Sequence, residues 1–338
     1  MKPDFTIERA TRASRIAGLL SLVLIVALIA APWWAGRANM RLLGEVYAFL
    51  ALASLWNLLA GFTGLVSVGQ QAFVGLGGYA LFAAAIFYGV PPLLAIVLAG
   101  FVGAIVALPL APILFRLQGA YFAIGTWVAA EVFRLVFAQV SALGGGSGTS
   151  LPAHIVTDIA STRDAREMVI YWSAMALGLG AIGVVYAILR SRAGLALTAI
   201  RDSEVASESL GIDIARTKLV LYVVTAALTT MTGALIFLQK LRISPDAAFS
   251  VNDWTAYVIF MVVIGGIGTI EGPILGTLIF FALRETLSDL GTIYLMLLGA
   301  VAILVMLKAP KGLWGLFSAA TGITLFPLRR RVVSTDAH

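Results

Sequence analysis

The side chains able to do covalent chemistry are few in this chain of 338 residues, and their spacing does not let them do it. The two histidines are His154, in a polar stretch, and His338, the last residue. Neither belongs to a His-Glu-x-x-His pattern or lies inside an apolar segment, so an intramembrane metalloprotease or a Ser-His protease is excluded. The chain has no cysteine, which removes disulfides, thiolate metal sites and cysteine nucleophiles. A Gly-Lys pair is also missing, and with it the phosphate-cradling loop of the P-loop ATPases. Any ATP that drives this protein must be held by another chain. Gly75-Leu-Gly77-Gly78 and Gly265-Gly266-Ile-Gly268 have glycine spacings like those of dinucleotide loops, but no soluble strand precedes them. They read as close helix packing through small residues, or as broken backbone beside a translocation path. No cofactor, metal or enzymatic activity is expected.

What remains is a set of polar groups in apolar surroundings. Hydrophobic residues make up 60% of the chain and charged residues 12%, with a mean hydropathy of +0.99. That balance belongs to a membrane protein. Apolar stretches of crossing length, such as Ile16 to Trp34 and Leu93 to Phe115, predict helices, and the period-two pattern of membrane barrels is absent. Read in order, the stretches are 16–34, 42–60, 72–89, 93–115, 119–139, 169–189, 219–239, 254–270, 272–284 and 290–308. The expectation is an all-α polytopic integral membrane protein of about 10 (8 to 10) transmembrane helices, the ninth short enough to be re-entrant. The first stretch, after Lys2, Arg9, Arg12 and Arg15 and closed by Trp33 and Trp34, reads as an uncleaved span. With both termini inside, 15 of the 23 Lys and Arg face the cytoplasm and seven face outward, as the positive-inside rule requires. The same clustering at span ends accounts for the net charge of +6 without nucleic acid. A permease domain over 1–318 is expected, with a periplasmic loop at 140–168, a cytoplasmic loop at 190–218 and a disordered cytoplasmic tail over 319–338.

Four polar constellations stand out. The stretch from Asn57 to Phe73 mixes amides, hydroxyls and glycines between two spans, and is either a plain connection or a gate in which Asn57, Ser67 and Gln70 supply hydrogen bonds. Glu131 and Arg134, three apart on one helical face, form an ion pair near the outer end or line the solute path. Thr225, Thr229 and Thr232 share a face, where hydroxyls can bond back to their own helix. In the cytoplasmic loop, Asp202 is placed as an N-cap, Glu204 in the first turn and Gly211 as the C-cap of a helix of about two turns. So short a helix is marginal alone and needs a docking surface, either the bundle itself or a partner.

The segment Arg192 to Asp213, Arg-Ala-Gly-Leu-Ala-Leu-Thr-Ala-Ile-Arg-Asp-Ser-Glu-Val-Ala-Ser-Glu-Ser-Leu-Gly-Ile-Asp, resembles the signature of the M-type (LivM-like) permeases of branched-chain amino-acid ABC transporters. Asn57 to Phe73 with Tyr79, Tyr121 to Thr126 with Glu131 and Arg134, and Val263 to Gly276 are also similar to that family, and Gly144 to Pro152 is a degenerate version of its outer loop. The resemblance covers roughly residues 40 to 318. It implies an H-type permease as partner in a heterodimer, two cytoplasmic ATP-binding subunits, a periplasmic solute-binding protein and a place in the bacterial inner membrane. It also implies that the 202–211 helix is a coupling helix, with Ala199, Arg201, Asp202, Glu204, Ala206, Glu208 and Gly211 facing the ATPase. Asn57, Ser67, Gln70, Tyr79, Glu131, Arg134 and Thr229 are the translocation-path candidates. The expected solute is a branched-chain or other hydrophobic amino acid, with urea, amides or aromatic acids as alternatives. Rival readings are a secondary transporter, which needs buried carboxylates near the bilayer middle, and a lipid-modifying enzyme, which needs clustered acids or histidines on a polar loop.

Overall fold

A computed structural model describes residues 5–8, 12–160, 162–287, 293–323, 325–326 and 331–334. Lys2, Arg9, Arg329, Arg330 and, of the expected disordered tail, residues 324, 327–330 and 335–338 lie outside the described residues. The elements in order are β1 (Phe5–Glu8), α1 (Arg12–Ile29), α2 (Arg37–Thr63), α3 (Gln70–Tyr88), α4 (Pro92–Leu114), α5 (Ala120–Ala138), β2 (Thr149–Ser150), α6 (Ala153–Thr157) and α7 (Arg163–Arg190). There follow α8 (Arg192–Asp202), α9 (Glu204–Ser209), α10 (Ile214–Lys240), β3 (Arg242–Ile243), α11 (Pro245–Ala248), α12 (Tyr257–Gly265), α13 (Glu271–Leu287), α14 (Ile293–Lys308), α15 (Gly312–Thr321) and β4 (Arg331–Ser334).

Among the described residues, eight helical stretches are long and apolar enough to cross a membrane. The apolar part of α1 (Ile16–Ile29) is shorter, as is α13 with 17 residues, a length of roughly 26 Å at 1.5 Å per residue. α13 starts beside the α12–α13 turn, where Gly272 packs on Gly266, and extends to Arg284, which reaches Glu45 in the first half of α2. The apolar run Met296–Thr321 is not one crossing. It breaks at Pro310, and Gly312 (φ +72°) sits against Gly266. Beyond α15, the Leu325 and Phe326 N–H groups donate to Glu271 Oε1 at 3.1 and 3.0 Å. Because α15 starts and finishes beside the α12–α13 turn, it returns to the end from which it left.

That end, where α2, α4, α7, α12 and α14 finish, is called the inner end after the positive-charge bias. β1 pairs antiparallel with β4, Phe5 opposite Ser334 and Glu8 opposite Arg331, which brings both terminal segments to one side. α15 and this strand occupy part of the tail expected to be disordered. At the outer end, β2 pairs with β3, so the glycine-rich outer loop is tied to the chain after α10. Gly148 (φ +75°) must be glycine, since a Cβ there would lie 2.0 Å from the Ile243 carbonyl oxygen.

α10 is the central helix, with α2, α3, α4 and α7 arranged around it. Water cannot drive helices together inside a bilayer, so association rests on close packing through small residues. Gly77 on α3 faces the Thr230 carbonyl of α10, and Gly233 on α10 faces the Val74 carbonyl of α3. Gly276 on α13 faces the Met261 carbonyl of α12 in the same way. The Gly75–Gly78 and Gly265–Gly276 runs are therefore packing surfaces, and Gly266 (φ +134°) and Gly268 (φ +76°) add the turn between α12 and α13. Glu45 and Arg284 join α2 to α13 through two bonds of 2.9 and 2.8 Å.

The crossing glycines are quantitatively testable. A Cβ at Gly77 would stand 1.9 Å from the Thr230 oxygen, whereas nothing lies within 4 Å of one at Gly183. Gly77→Ala is expected to cost about 2–3 kcal/mol as overpacking against backbone. Gly183→Ala, in the exposed interior of α7, should be neutral or stabilising by up to ~1 kcal/mol. Thermal unfolding in detergent, followed by the amount of monodisperse protein remaining, separates the two variants.

Candidate functional site

The polar residues of the sequence gather at the inner end, around places where helices stop. α2 runs as far as Thr63, so Asn57 and Gly61 are helical, and the irregular stretch shrinks to Gly64–Gly69. Gly64 (φ +74°) ends α2 by donating its N–H to the Ala60 carbonyl. The unwound turn is held by side chains: the Trp56 indole donates to the Ser67 carbonyl at 2.7 Å, and the Val68 N–H donates to Thr126 Oγ1 on α5 at 2.9 Å. Gly69 lies so close to the Thr126 carbonyl that any Cβ would clash at 2.1 Å.

Asn57 is a clasp between two breaks. It is 1% exposed, its Nδ2 donates to the Thr269 carbonyl at 2.7 Å and its Oδ1 accepts from the Gly268 N–H at 2.8 Å. The amide thus satisfies one donor and one acceptor of the α12–α13 turn, a stronger constraint than a place on a pore wall. One turn further along α2, the Gly61 carbonyl accepts from Arg201 Nη1 of α8 at 3.0 Å. The remaining donors of Arg201 go to Asp202 Oδ1 at 3.1 and 3.0 Å. A continuous set of bonds therefore runs from the cytoplasmic segment through α2 to the start of α13.

This geometry corrects the placement of the cap. Asp202 is the last residue of α8, not an N-cap, because the Ser203 N–H still bonds to the Ala199 carbonyl at 2.9 Å and the Asp202 carboxylate is taken by Arg201. Ser203, extended at φ −162°, caps α9 by accepting from the Ala206 N–H at 3.2 Å. Both residues are good caps, and the α8 hydrogen-bond ladder decides between them. Gly211 (φ +80°) follows α9 as a left-handed stop: its N–H bonds to the Glu208 carbonyl, and that of Ile212 to Ser207, at 2.9 and 3.1 Å. The pair is a Schellman motif. Glu204 is bonded to Lys218 of α10 at 2.6 Å. Glu208 and Ala206 are exposed, as are Val205 (77%) and Leu210 (79%). Ser203, Val205, Leu210 and Lys218 lie beside the expected coupling residues but were not among them, although an exposed Val205 on the helix and Leu210 just after it, with Glu204, Glu208 and Asp213 around them, are legible in the sequence.

Of the path candidates, the structure brings Ser67, Gln70 and Thr229 together. They line a cavity of about 20 Å³ between α2, α3 and α10, with Trp56, Phe73, Tyr222 and Thr225. That volume holds about one water molecule. Gln70 Nε2 donates to the Leu52 carbonyl at 3.0 Å, while its Oε1 is buried without a partner among the described residues. Thr225 and Thr232 bond back to carbonyls of their own helix. Tyr79 lies elsewhere, 1% exposed, in a cluster of three rings with Phe137 (4.5 Å) and Phe249 (5.9 Å), which also touch each other at 5.6 Å. Glu131 and Arg134 are also apart from the cavity. They form an ion pair at 2.6 Å, and Arg134 reaches Asp246 of α11 at 2.7 Å. Sequence spacing could not reveal Asp246, which lies 112 residues away.

The fold is a bundle of apolar helices long enough to cross a membrane, with many of its buried polar side chains bonded to backbone groups, as a polytopic membrane protein requires. The family model described as branched-chain amino acid transport system / permease component matches residues 36–307, and the chain belongs to that family. It is 26% identical over 333 residues to the high-affinity branched-chain amino acid transport system permease proteins LivM of Salmonella typhimurium and Escherichia coli K12, covering 92% of this chain and 78% of each relative. A probable branched-chain amino acid transport permease protein LivM of Methanocaldococcus jannaschii is 28% identical over 240 residues, covering 65% of this chain and 67% of its own. No solved structure matches significantly. The chain is a transport subunit and not itself an enzyme.

The clasp gives a direct expectation. Asn57→Leu keeps the volume but strands the Gly268 N–H and the Thr269 carbonyl, at a cost of about 2–4 kcal/mol for two unsatisfied backbone groups. Hydrogen exchange should then accelerate at residues 266–270 while the centre of α10 stays protected.

Proposed function

We propose that this chain is one of two membrane subunits of an ATP-driven importer for branched-chain or other hydrophobic amino acids in the bacterial inner membrane. A periplasmic binding protein delivers the solute at the outer end, two cytoplasmic ATP-binding subunits dock at the inner end, and an H-type permease completes the membrane portion. The observation that carries this reading is the α8–α9 segment: a short, well-capped helix with Val205 and Leu210 in solvent and Glu204 and Glu208 beside them. Val205 on this six-residue helix and Leu210 at its C-cap form the exposed apolar pair assigned here to the ATPase contact. The groove behind it, about 450 Å³ between Gly64, Gln118, Glu208 and Lys218, leaves α9 room to shift.

ATPase closure moves α9, and Arg201 passes that movement to the Gly61 carbonyl and so to the Asn57 clasp. The inner turns at 64–69 and 266–270 are the gate elements, and the cavity at Gln70 is the closed part of the route. Glu131 and Arg134 lie on α5, which contributes little to this chain's own core, with side chains 46% and 30% exposed, and Arg134 reaches from there to Asp246 of α11. Charges at that depth need protein or water around them, so this face of α5 is assigned to the contact with the second permease.

Arg201→Gln removes the bond to Gly61 and leaves the docking face of α9 intact. Uptake of radiolabelled leucine by the reconstituted complex should fall at least tenfold while ATP hydrolysis persists. Parallel loss of both activities would contradict transmission through Arg201. Gly211→Val strains the left-handed stop by about 1–2 kcal/mol or more, and Glu204→Lys places a like charge beside Lys218. Both should reduce uptake and solute-stimulated hydrolysis together at unchanged membrane abundance. Orientation is tested by Ser147→Cys in this cysteine-free chain. The thiol should react with an impermeant maleimide as soon as the outer membrane is opened, and reaction only after the inner membrane is permeabilised would reverse the topology.

A further inference from the structure

A cavity at the outer end is lined by this chain alone. It is a cleft of about 600 Å³ between α2, α7, α10 and Trp254, a volume in the range of small-molecule sites. Its floor is apolar, formed by Phe49, Ile170, Ile236 and Trp254, and its rim carries charges of both signs.

Those charges differ in how they are occupied. Arg41 and Arg163 both bond to Glu167 Oε1, at 2.5 and 3.4 Å. Lys240 lies over the Trp254 ring at 4.6 Å from its centre. The guanidinium of Arg166, half-buried on the same rim, makes no ion pair and no hydrogen bond among the described residues. A guanidinium left open beside an apolar floor is suited to a carboxylate, which it grips through two parallel bonds. Glu45 accepts one bond at each oxygen from Arg284 and keeps acceptor capacity for an ammonium group.

We propose that this cleft is a binding site for a zwitterionic amino acid with an aliphatic side chain, its carboxylate on Arg166, its ammonium at Glu45 and its side chain over Phe49 and Trp254. The proposal rests on the amino-acid transport reading and adds to it a receiving site built by this subunit without the second permease. The presence of both signs on the rim favours an amino acid over an anionic lipid headgroup, which would meet Glu45 and Glu167 unfavourably. The cleft also lies over the same face of α2 as the Gln70 cavity: Arg41, Glu45 and Ala48 line the first, Leu55 and Leu59 the second. Between them the seam is closed where Gly233 meets Val74.

The test uses the full-length chain in nanodiscs of phosphatidylcholine, with L-leucine, isovalerate (carboxylate only) and isoamylamine (ammonium only) as probes in an equilibrium binding assay. Leucine should bind saturably, Arg166→Gln should weaken leucine and isovalerate about tenfold while leaving isoamylamine unchanged, and Arg166→Lys should recover most of the loss. A lack of leucine binding to correctly folded wild type, or equal binding by Arg166→Gln, overturns the proposal. So does stabilisation by phosphatidylglycerol, but not by leucine, that disappears in Arg166→Gln, because it would make the cleft a lipid site. Uptake by the assembled transporter separates the two levels of the argument. Leucine uptake with an unchanged KM in Arg166→Gln removes this site and leaves the transport reading standing. No leucine uptake by wild type removes the transport reading itself.

Discussion

A backbone polar group inside a bilayer has no water to turn to, and each one left unpaired costs several kcal/mol. Helices meet that constraint along their length, so the difficulty is confined to the places where they stop. At the inner end of this chain several of the breaks are held by side chains. Trp56 and Thr126 hold the turn after α2, Asn57 holds the turn after α12, Arg201 takes the Gly61 carbonyl, and Glu271 takes two N–H groups beyond α15. The result is a polar layer in which no break can move without disturbing another.

The layer also explains how a segment outside the membrane can act on one inside it. α8 and α9 are short and exposed, yet Arg201 bonds to α2 and Glu204 to α10. In the proposed mechanism, a push on α9 would reach two crossing helices through these charge-assisted bonds rather than through diffuse packing. Glycine contacts between α3 and α10 and between α12 and α13 keep the rest of the bundle close-packed. Rigid helices with bonded, glycine-containing turns between them are the arrangement in which small displacements at one face become opening at another.

Much of this was legible in the sequence. Crossing helices, the two-sided charge bias and the two structured loops follow from apolar length and from Lys and Arg placement. The glycine runs pointed to close packing because little else explains glycine where a helix must be long. What the sequence obscured was long-range pairing. Asn57 read as part of either a plain connection or a gate, and the partners that its amide holds lie more than 200 residues away. The Asp202 cap failed for a local reason, since two adjacent cap-forming residues can be ordered only by knowing where the preceding helix ends. Arg134 was visible as half of an ion pair, but Asp246 was not. The outer cleft left no sequence signal, because its residues come from four separate segments.

The claim at the centre is that Arg201 carries motion from the cytoplasmic segment into the broken turns of the inner end. The most direct measurement is hydrogen exchange by mass spectrometry on the assembled transporter, with and without trapped nucleotide, in wild type and in Arg201→Gln. The account predicts that exchange at residues 64–69 and 266–270 changes on nucleotide trapping in wild type and no longer responds in the variant, while α9 responds in both. Turns that respond equally in both proteins, or that do not respond at all, would contradict it.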